Sequence, residues 1–374
     1  MSQAPAEIME PLGSALKPID FDRLPGLGPA GFLEAWEALR DSCRAIEQNR
    51  EPLRPARSFP DDWRPLYGVV ASGPSPQDDL EALQFVRERF QPFRIGPDEG
   101  SAFFTGYYEP EVEGSLVPTR EFKEALLARP LDLESFPSGA TPLGPDLAAG
   151  RRDEAGRLSP YPSRAEIEAG DAGTGPADPL VWVRDGIEAF MIHVQGSARV
   201  RLPDGSLVRL TYAGRNGRPY SSIGALLIRE GHVPADEMSL EWLKKWVREH
   251  GQGAGEAGRV LMQRNQSFIF FKMNPSLGAK EGPVGAASVS LKPLRSIAVD
   301  RGLWPYGLPY WLSASLPWLS PTRTPFQRLL IGQDTGSAIL GAARADIFFG
   351  SGPEAGARAG DIRDAGSMFV LLPK

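Results

Sequence analysis

The sequence predicts a mainly β chain with helices at its periphery, and three observations lead to that fold class. The 374 residues include 41 glycines and 36 prolines, a content typical of chains with many turns and short strands. Short apolar runs bounded by turn residues recur through the chain, whereas helical periodicity is limited to a few segments. Because predicted strands dominate and helices lie at the edges, a β-barrel-rich architecture with helical additions is favoured.

The first third of the chain holds two predicted helices and one predicted strand. Residues 1–26 are expected to form an irregular leader. Apolar residues at helical spacing predict a surface helix over 29–48 and a second helix over 78–90. An aromatic run over 103–110 predicts a strand that ends at Pro110.

The middle of the chain begins with a loop-rich stretch and continues with a β section. Residues 115–180 are rich in Pro, Gly and Asp and are expected to be mostly loop. Within them, Ser163 and Glu166 have capping-box spacing, which predicts the start of a short helix. The strands predicted next are 180–183, 189–194, and a hairpin of 198–202 with 207–213 around Asp204 and Gly205. Helices are predicted at 221–230, 239–250 and 259–263, with a glycine-rich joint at 251–258.

The last third is predicted to consist of strands again. They are expected at 267–272, 287–291, 296–299, 309–313, 327–332, 345–349 and 368–372. With the earlier strands, they give the chain its mainly β character.

Composition excludes several classes of function. A net charge of −6 and a pI near 5.4 give no basic surface for nucleic acid. The single cysteine, Cys43, permits no disulfide within the chain, and the three histidines are too far apart to suggest a metal site. We therefore expect no metal and no cofactor. No apolar run is long enough to span a membrane, and no signal peptide is visible.

Two acids in apolar surroundings are the first candidates for chemistry. Asp334 and Asp346 lie within 333–350, where small and apolar residues dominate and Arg344 is the one nearby cation. Burial disfavours a charged carboxylate and raises its pKa, which is what a general acid at neutral pH needs. The alternative is that each Asp is a turn or cap residue, since Asp beside Gly or Thr is common in turns. From the residues alone, the turn interpretation is favoured for either acid.

Six separated stretches together resemble one family, the MltA-type lytic transglycosylases that cut peptidoglycan. They are 104–110 (FTGYYEP), 161–167 (YPSRAEI), 194–197 (VQGS), 212–224 (YAGRNG followed by YSSIG), 265–271 (NQSFIFF) and 333–350. They occur in the family's order and cover roughly residues 100–374.

The resemblance implies two domains with a substrate groove between them. Residues 1–110 and 254–374 are expected to form a double-psi β-barrel catalytic domain of the 3D type, together with the N-terminal helices. Residues 111–253 are expected to form an inserted β-rich substrate-binding domain. The glycine-rich joint at 251–258 agrees with the second boundary.

The resemblance also implies a reaction that uses a single carboxyl group. A lytic transglycosylase cleaves the β-1,4 bond between N-acetylmuramic acid and N-acetylglucosamine and forms 1,6-anhydromuramic acid. The family's acid and base corresponds to Asp346. Asp334 corresponds to a supporting acid, either anchoring a loop or touching substrate, and Asp300 to a structural acid.

The same resemblance implies a set of substrate-binding residues. They are Thr105, Gly106, Tyr107, Tyr108, Gln195, Gly196 and Ser197. Tyrosine faces can stack on sugar rings, but neighbouring residues of a strand face opposite ways, so one of the two tyrosines is expected to lie in the core.

Peptidoglycan glycan strands are therefore the expected partner, with no nucleic acid. We expect a monomer in the periplasm, with outer-membrane association and a complex with other cell-wall enzymes left open. Two alternatives remain at this point: an inverting glycoside hydrolase acting on peptidoglycan, and a non-catalytic wall-binding module.

Overall fold

The computed structural model describes residues 15–96, 101–136, 140–170, 177–274 and 281–374. The chain divides into two compact units. The first comprises Met1–Tyr108, Val284–Gly350 and Glu354–Lys374, and the second comprises Glu109–Pro283 and Ser351–Pro353. The second unit thus extends to Pro283, whereas the sequence placed its end at 253, because a strand in this interval pairs with a strand of the second unit.

The described residues form the following helices and strands. The helices are α1 (Phe32–Glu47), α2 (Arg64–Ser72), α3 (Asp79–Arg89), α4 (Arg164–Ala169), α5 (Gly186–Gln195), α6 (Ile223–Arg229), α7 (Leu240–Glu249), α8 (Ala257–Gln263) and α9 (Pro353–Gly360). The strands are β1 (Ala15–Pro18), β2 (Phe90–Gly96), β3 (Ala102–Glu109), β4 (Glu111–Ser115), β5 (Glu124–Leu127), β6 (Leu133–Ser135), β7 (Ala149–Arg152), β8 (Leu158–Pro160), β9 (Pro179–Val183), β10 (Ser197–Arg201), β11 (Leu207–Arg215), β12 (Ile269–Met273), β13 (Ser296–Ala298), β14 (Pro309–Leu316), β15 (Thr324–Asp334), β16 (Arg344–Ser351) and β17 (Arg363–Pro373).

A closed six-stranded barrel forms the centre of the first unit. Its strands follow the order β17-β14-β15-β13-β16-β3, and a further pairing of β17 with β3 closes the ring. The long strand β17 makes this possible, because its first residues pair with β3 and its last residues pair with β2. The mainly β fold class with peripheral helices is therefore confirmed.

The first unit has a core rich in aromatic side chains. Trp304, Tyr310, Phe326 and Phe348 are fully buried there. Helix α1 packs its apolar face on this unit, with Cys43 buried, and the predicted helices at 29–48 and 78–90 are confirmed. The predicted strand at 287–291 is wrong, because Val284 and Ser290 form only an isolated bridge.

The second unit is built on a six-stranded sheet with the order β12-β11-β10-β4-β9-β5 and a small sheet of β6, β7 and β8. Helix α5 packs on the larger sheet, and its other apolar side joins helices α6, α7 and α8 in a separate cluster. The predicted strand at 189–194 is wrong: this segment belongs to α5, where Asp185 caps the first turn through the Glu188 amide. Its apolar residues are buried on both sides, a pattern that a short strand shares.

Local sequence signals were reliable where turn chemistry fixes the backbone. The predicted hairpin of β10 and β11 is confirmed, with Asp204 accepting from the Ser206 amide at 2.9 Å in the turn. The capping box of Ser163 and Glu166 is present at the start of α4. The stretch 115–180, expected to be mostly loop, instead contributes several short strands, because its prolines and glycines separate paired segments.

Within the described ranges, no helix is both long enough and apolar enough to cross a membrane. The first half of the predicted leader, residues 1–14, lies outside those ranges.

Candidate active site

The two acids singled out by the sequence are aligned across three neighbouring strands of the barrel. Strand β13 pairs in parallel with β15 and antiparallel with β16, and Ala298 is the Cα partner of Asp334 on one side and of Asp346 on the other. Two strand spacings separate the acids, which places their Cα atoms about 10 Å apart. Ala298 itself is buried between them.

A bulge on β15 produces this alignment. Ile297 pairs with Gly332, but the next residue, Ala298, pairs with Asp334, so that Gln333 is an extra residue on β15. Bulges re-aim side chains and are frequent beside active sites. Gln333 is buried and donates to the Ala38 carbonyl at 2.8 Å, while Asp334 takes the position beside Ala298.

Strand β3 supplies a hydroxyl group to each acid. Thr105 donates to Asp346 Oδ1 at 2.5 Å, and Tyr107 donates to Asp334 Oδ2 at 2.8 Å. Thr105 and Tyr107 are two positions apart and therefore share one face of the strand. The Tyr107 ring also packs on Phe348, with 5.3 Å between ring centroids.

Asp346 has a raised pKa. Burial is the main cause and raises the pKa of its carboxyl from 3.8 to about 6, with a smaller contribution from the charge of Asp334. The hydrogen bond from Thr105 and the charge of Arg344 act in the opposite direction. Of the described residues, only Thr105 donates a hydrogen bond to this carboxyl. Asp346 can therefore exchange a proton near neutral pH, as a general acid and base must.

Asp334 is held much more firmly. Its Oδ1 accepts from the amides of Ala286 and Thr335, both at 2.9 Å, and its Oδ2 accepts from Tyr107. Burial raises the pKa of Asp334, and these three hydrogen bonds oppose the rise because they favour the charged form. Most of its acceptor capacity is occupied, which suits an anchoring and orienting carboxylate.

Asp300 connects its own turn to the loop between β15 and β16. Its carboxylate accepts from the Gly302 amide at 2.9 Å and from the Gly341 amide at 2.8 Å. Gly341 lies in the loop between β15 and β16, so Asp300 helps to fix the segment that joins the two acids.

Two of the expected substrate-binding residues, Gly106 and Tyr108, lie on the opposite face of β3 from Thr105 and Tyr107, and their binding role stays a prediction. A Cβ atom on Gly106 would come within 2.8 Å of the Ala359 backbone in α9, so the glycine is required for packing. Tyr108 is buried with its ring against Gly356 of the same helix. The reason is the alternation of side chains along a strand, which leaves Thr105 and Tyr107 on the side of the acids.

The other three expected binding residues belong to the second unit. Gln195 ends α5, Gly196 follows it with a φ of +79°, and Ser197 begins β10. A Cβ atom on Gly196 would meet nothing within 4 Å, so its role in the fold is the left-handed helix cap. Their binding role stays a prediction.

The sequence did not assign a role to Arg344, Phe103 or the Ala286 amide. Arg344 Nη2 donates to Thr105 Oγ1 at 2.7 Å, and its guanidinium lies 5.2 Å from the Phe103 ring centroid. One sequence signal could have revealed the contacts of Arg344 and Phe103. Alternate residues of a strand share a face, which groups residues 103, 105 and 107 on β3 and residues 344, 346 and 348 on the neighbouring β16. No sequence pattern indicated Ala286, because its contact depends on a backbone amide brought from a distant loop.

Comparison with known families matches two parts of the chain. Residues 103–272 match the family described as the MltA specific insert domain, and residues 295–372 match the 3D domain. The second match contains all three aspartates discussed above.

Individual proteins resemble the chain over most of its length. Membrane-bound lytic murein transglycosylase A of Vibrio cholerae is 31% identical over 342 residues, which cover 89% of this chain and 82% of that protein. A membrane-bound lytic murein transglycosylase from Agrobacterium tumefaciens has a crystal structure with a TM-score of 0.84 and 33% identity, covering 96% of this chain and 98% of that one. The crystal structure of Escherichia coli MltA with bound chitohexaose has a TM-score of 0.68 and 25% identity, covering 98% and 95%.

The raised pKa of Asp346 predicts a gain in stability when its charge is removed. A carboxyl with a raised folded-state pKa contributes stability below its unfolded pKa and loses it as pH rises through the folded value, here about 6. The rise from 3.8 to about 6 corresponds to at most about 3 kcal/mol. Asp346→Asn should therefore unfold at a higher temperature than the parent at pH 8, with a smaller advantage at pH values well below 6. Thermal unfolding of both proteins at several pH values checks this, and an advantage of Asp346→Asn that does not grow between pH 4 and pH 8 would contradict it.

Gly106 offers a test of its packing against α9. Gly106→Val should lower the free energy of unfolding by about 1–3 kcal/mol or more, because its side chain would collide with the Ala359 backbone. Gly28→Ala is the matched control in the same unit, since a Cβ atom there meets nothing within 4 Å. Chemical denaturation of the two variants measures the difference, and equal stabilities would show that α9 is not packed on Gly106.

Proposed function

The chain belongs to the MltA family of lytic murein transglycosylases, and from this membership we propose that it cleaves peptidoglycan glycan strands with a single aspartate, Asp346, as acid and base. The family is identified by the matches over 103–272 and 295–372 and by the Vibrio cholerae relative. The bond cleaved is the β-1,4 bond between N-acetylmuramic acid and N-acetylglucosamine, and the product carries 1,6-anhydromuramic acid.

The observation that carries the proposal is the environment of Asp346. Its pKa near 6 leaves a fraction protonated at neutral pH, and its one hydrogen bond from the described residues leaves Oδ2 able to face a substrate. A carboxyl with both properties can give a proton and take one back.

The reaction proceeds in two proton transfers on the same carboxyl group. Protonated Asp346 gives its proton to the glycosidic oxygen as the bond from that oxygen to C1 of the muramic acid breaks. The C6 hydroxyl oxygen of the same sugar then bonds to C1, and its proton passes to the Asp346 carboxylate. The enzyme is restored and no water is consumed. Because the nucleophile belongs to the substrate, positioning supplies much of the rate.

Asp334 takes a supporting role in this scheme. Its negative charge lies across Ala298 from the reacting group, where it raises the pKa of Asp346 and faces the positive charge that develops on the sugar. Tyr107 links it to the strand that carries Thr105. We propose Thr105 and Tyr107 as the residues of β3 nearest to the bound sugar, and Gln195, Gly196 and Ser197 as contacts from the second unit.

The nature of the relatives supports the substrate class. The Escherichia coli relative holds chitohexaose, which is a chain of β-1,4-linked N-acetylglucosamine. The curated relatives are named as membrane-bound murein enzymes, which supports a periplasmic location with outer-membrane association.

Inverting hydrolysis is the second candidate, because the site holds two carboxyl groups, one on each side of β13, and that reaction uses a second carboxylate to activate water. In that reaction Asp334 would activate the water. Its three hydrogen bonds occupy most of its lone pairs and leave little capacity to take a proton from water, which disfavours this role.

The composition of the products separates the two reactions. Purified peptidoglycan sacculi digested with the protein should release muropeptides that carry 1,6-anhydromuramic acid, which mass spectrometry distinguishes by a mass 18 Da lower than the reducing-end form, the mass of one water. Products with ordinary reducing ends would instead support hydrolysis. Binding to sacculi without soluble fragments would support a non-catalytic wall-binding module.

The role of Asp346 is tested in the same assay. Asp346→Asn keeps the size of the side chain but cannot donate or accept the proton, so product release should fall by a factor of about 100 or more. Thr335→Ser, a small change beside Asp334, is a suitable control and should retain most of the activity. Full activity of Asp346→Asn would exclude Asp346 as the acid and base.

A further inference from the structure

Arg344 lies on the same face of β16 as Asp346, two residues before it, and is held there by several contacts. Its Nη1 donates to the Ala345 carbonyl at 2.5 Å, and its Nη2 donates to Thr105 Oγ1 at 2.7 Å. The guanidinium also stacks over the ring of Phe103. The head group therefore has a fixed position between β16 and β3.

These contacts decide the direction of the hydrogen bond to the catalytic carboxyl. A guanidinium has no acceptor, so at the contact between Arg344 and Thr105 the hydroxyl oxygen must accept. The single hydroxyl proton of Thr105 is then free to point at Asp346 Oδ1, 2.5 Å away. A hydroxyl that donates to a carboxylate stabilises its charged form.

We propose that Arg344 is a positioning residue for this reaction, acting through Thr105 to orient the Asp346 carboxyl and to favour its charged form. The inference rests on the proposed role of Asp346. Without it, the buried carboxyl would hold its proton too tightly to release it to the glycosidic oxygen. With it, the carboxyl can give up a proton in the first transfer and still accept one in the second.

The other charged and titratable groups around Asp346 do not replace this effect. Asp334 across Ala298 acts in the opposite direction, because its negative charge raises the pKa of Asp346. Tyr107 is neutral, since burial first and then the charge of Asp334 raise its pKa well above the ordinary value. Arg54 donates to the Thr335 carbonyl and acts electrostatically on Asp334.

The pH dependence of kcat/KM tests the proposal. The rate should fall on the alkaline side as Asp346 loses its proton, and Arg344→Gln should move this fall to higher pH by about one unit, as expected for the loss of a neighbouring positive charge. Initial rates of anhydromuropeptide release from glycan strands at low concentration report kcat/KM. Arg344→Lys keeps the charge but not the planar fork, so its profile should lie between the other two.

A double-mutant cycle distinguishes action through Thr105 from a direct effect of charge. Thr105→Val should shift the profile in the same direction, and combining it with Arg344→Gln should give less than the sum of the two shifts, because both changes break one chain of contacts. If Arg344→Gln does not fold, as judged by circular dichroism, Arg344→Lys and Thr105→Val carry the same test.

Arg328 provides the matched control. It lies on β15 of the same barrel and stacks on an aromatic ring, with 4.5 Å from its guanidinium carbon to the Trp318 centroid. Arg328→Gln should leave the pH profile unchanged.

An unmoved profile in Arg344→Gln, or strictly additive shifts in the cycle, would overturn the inference. An inactive Asp346→Asn protein would then leave the proposed function intact, whereas a fully active one would overturn both.

Discussion

The lateral pairing of Ala298 with an aspartate on either side is the constraint on which the rest of the site depends. Strand β13 has only three residues, yet it pairs with both β15 and β16. A shift by one residue on either side would turn an acid to the other face of its strand. The bulge at Gln333 is part of the same constraint, because it brings Asp334 opposite Ala298. The spacing of the two acids is therefore set by backbone hydrogen bonds before any side chain contributes.

Given that alignment, the two acids differ because of their hydrogen-bond partners and not because of burial. Burial raises the pKa of both carboxyl groups. Asp334 receives two backbone amides and a phenol, whereas Asp346 receives one hydroxyl from the described residues. Backbone amides cannot turn away or change their charge, so Asp334 is fixed as an acceptor. Asp346 keeps acceptor positions that no described residue occupies, and its raised pKa allows it to exchange a proton near neutral pH.

Sequence reasoning reached the fold class and the two acids because those features have local or family-wide signals. Glycine and proline content, helical periodicity and the capping box of Ser163 all report on the nearby backbone. The strand predicted at 189–194 failed because a helix buried on both sides has no polar face to reveal its period. The motif around Gly106 and Tyr108 gave no sign that these two residues pack against α9, because a motif names consecutive residues whereas a strand divides them between two faces. Contacts from distant segments, such as that of the Ala286 amide, have no signal in a single sequence.

The segment that follows β13 forms hydrogen bonds with the loop between the two acids. Val299 accepts a hydrogen bond from the Thr335 hydroxyl, Asp300 accepts from the Gly341 amide, and Trp304 donates to the Ala342 carbonyl at 3.0 Å. These contacts hold both ends of the loop that leaves β15 after Asp334 and enters β16 before Asp346. Strand β13 therefore sets the spacing of the acids through its register, and the residues directly after it keep the connecting loop from changing that spacing. Asp300 can influence the position of Asp346 without touching it, because losing its carboxylate would free the Gly341 amide where the loop returns to β16.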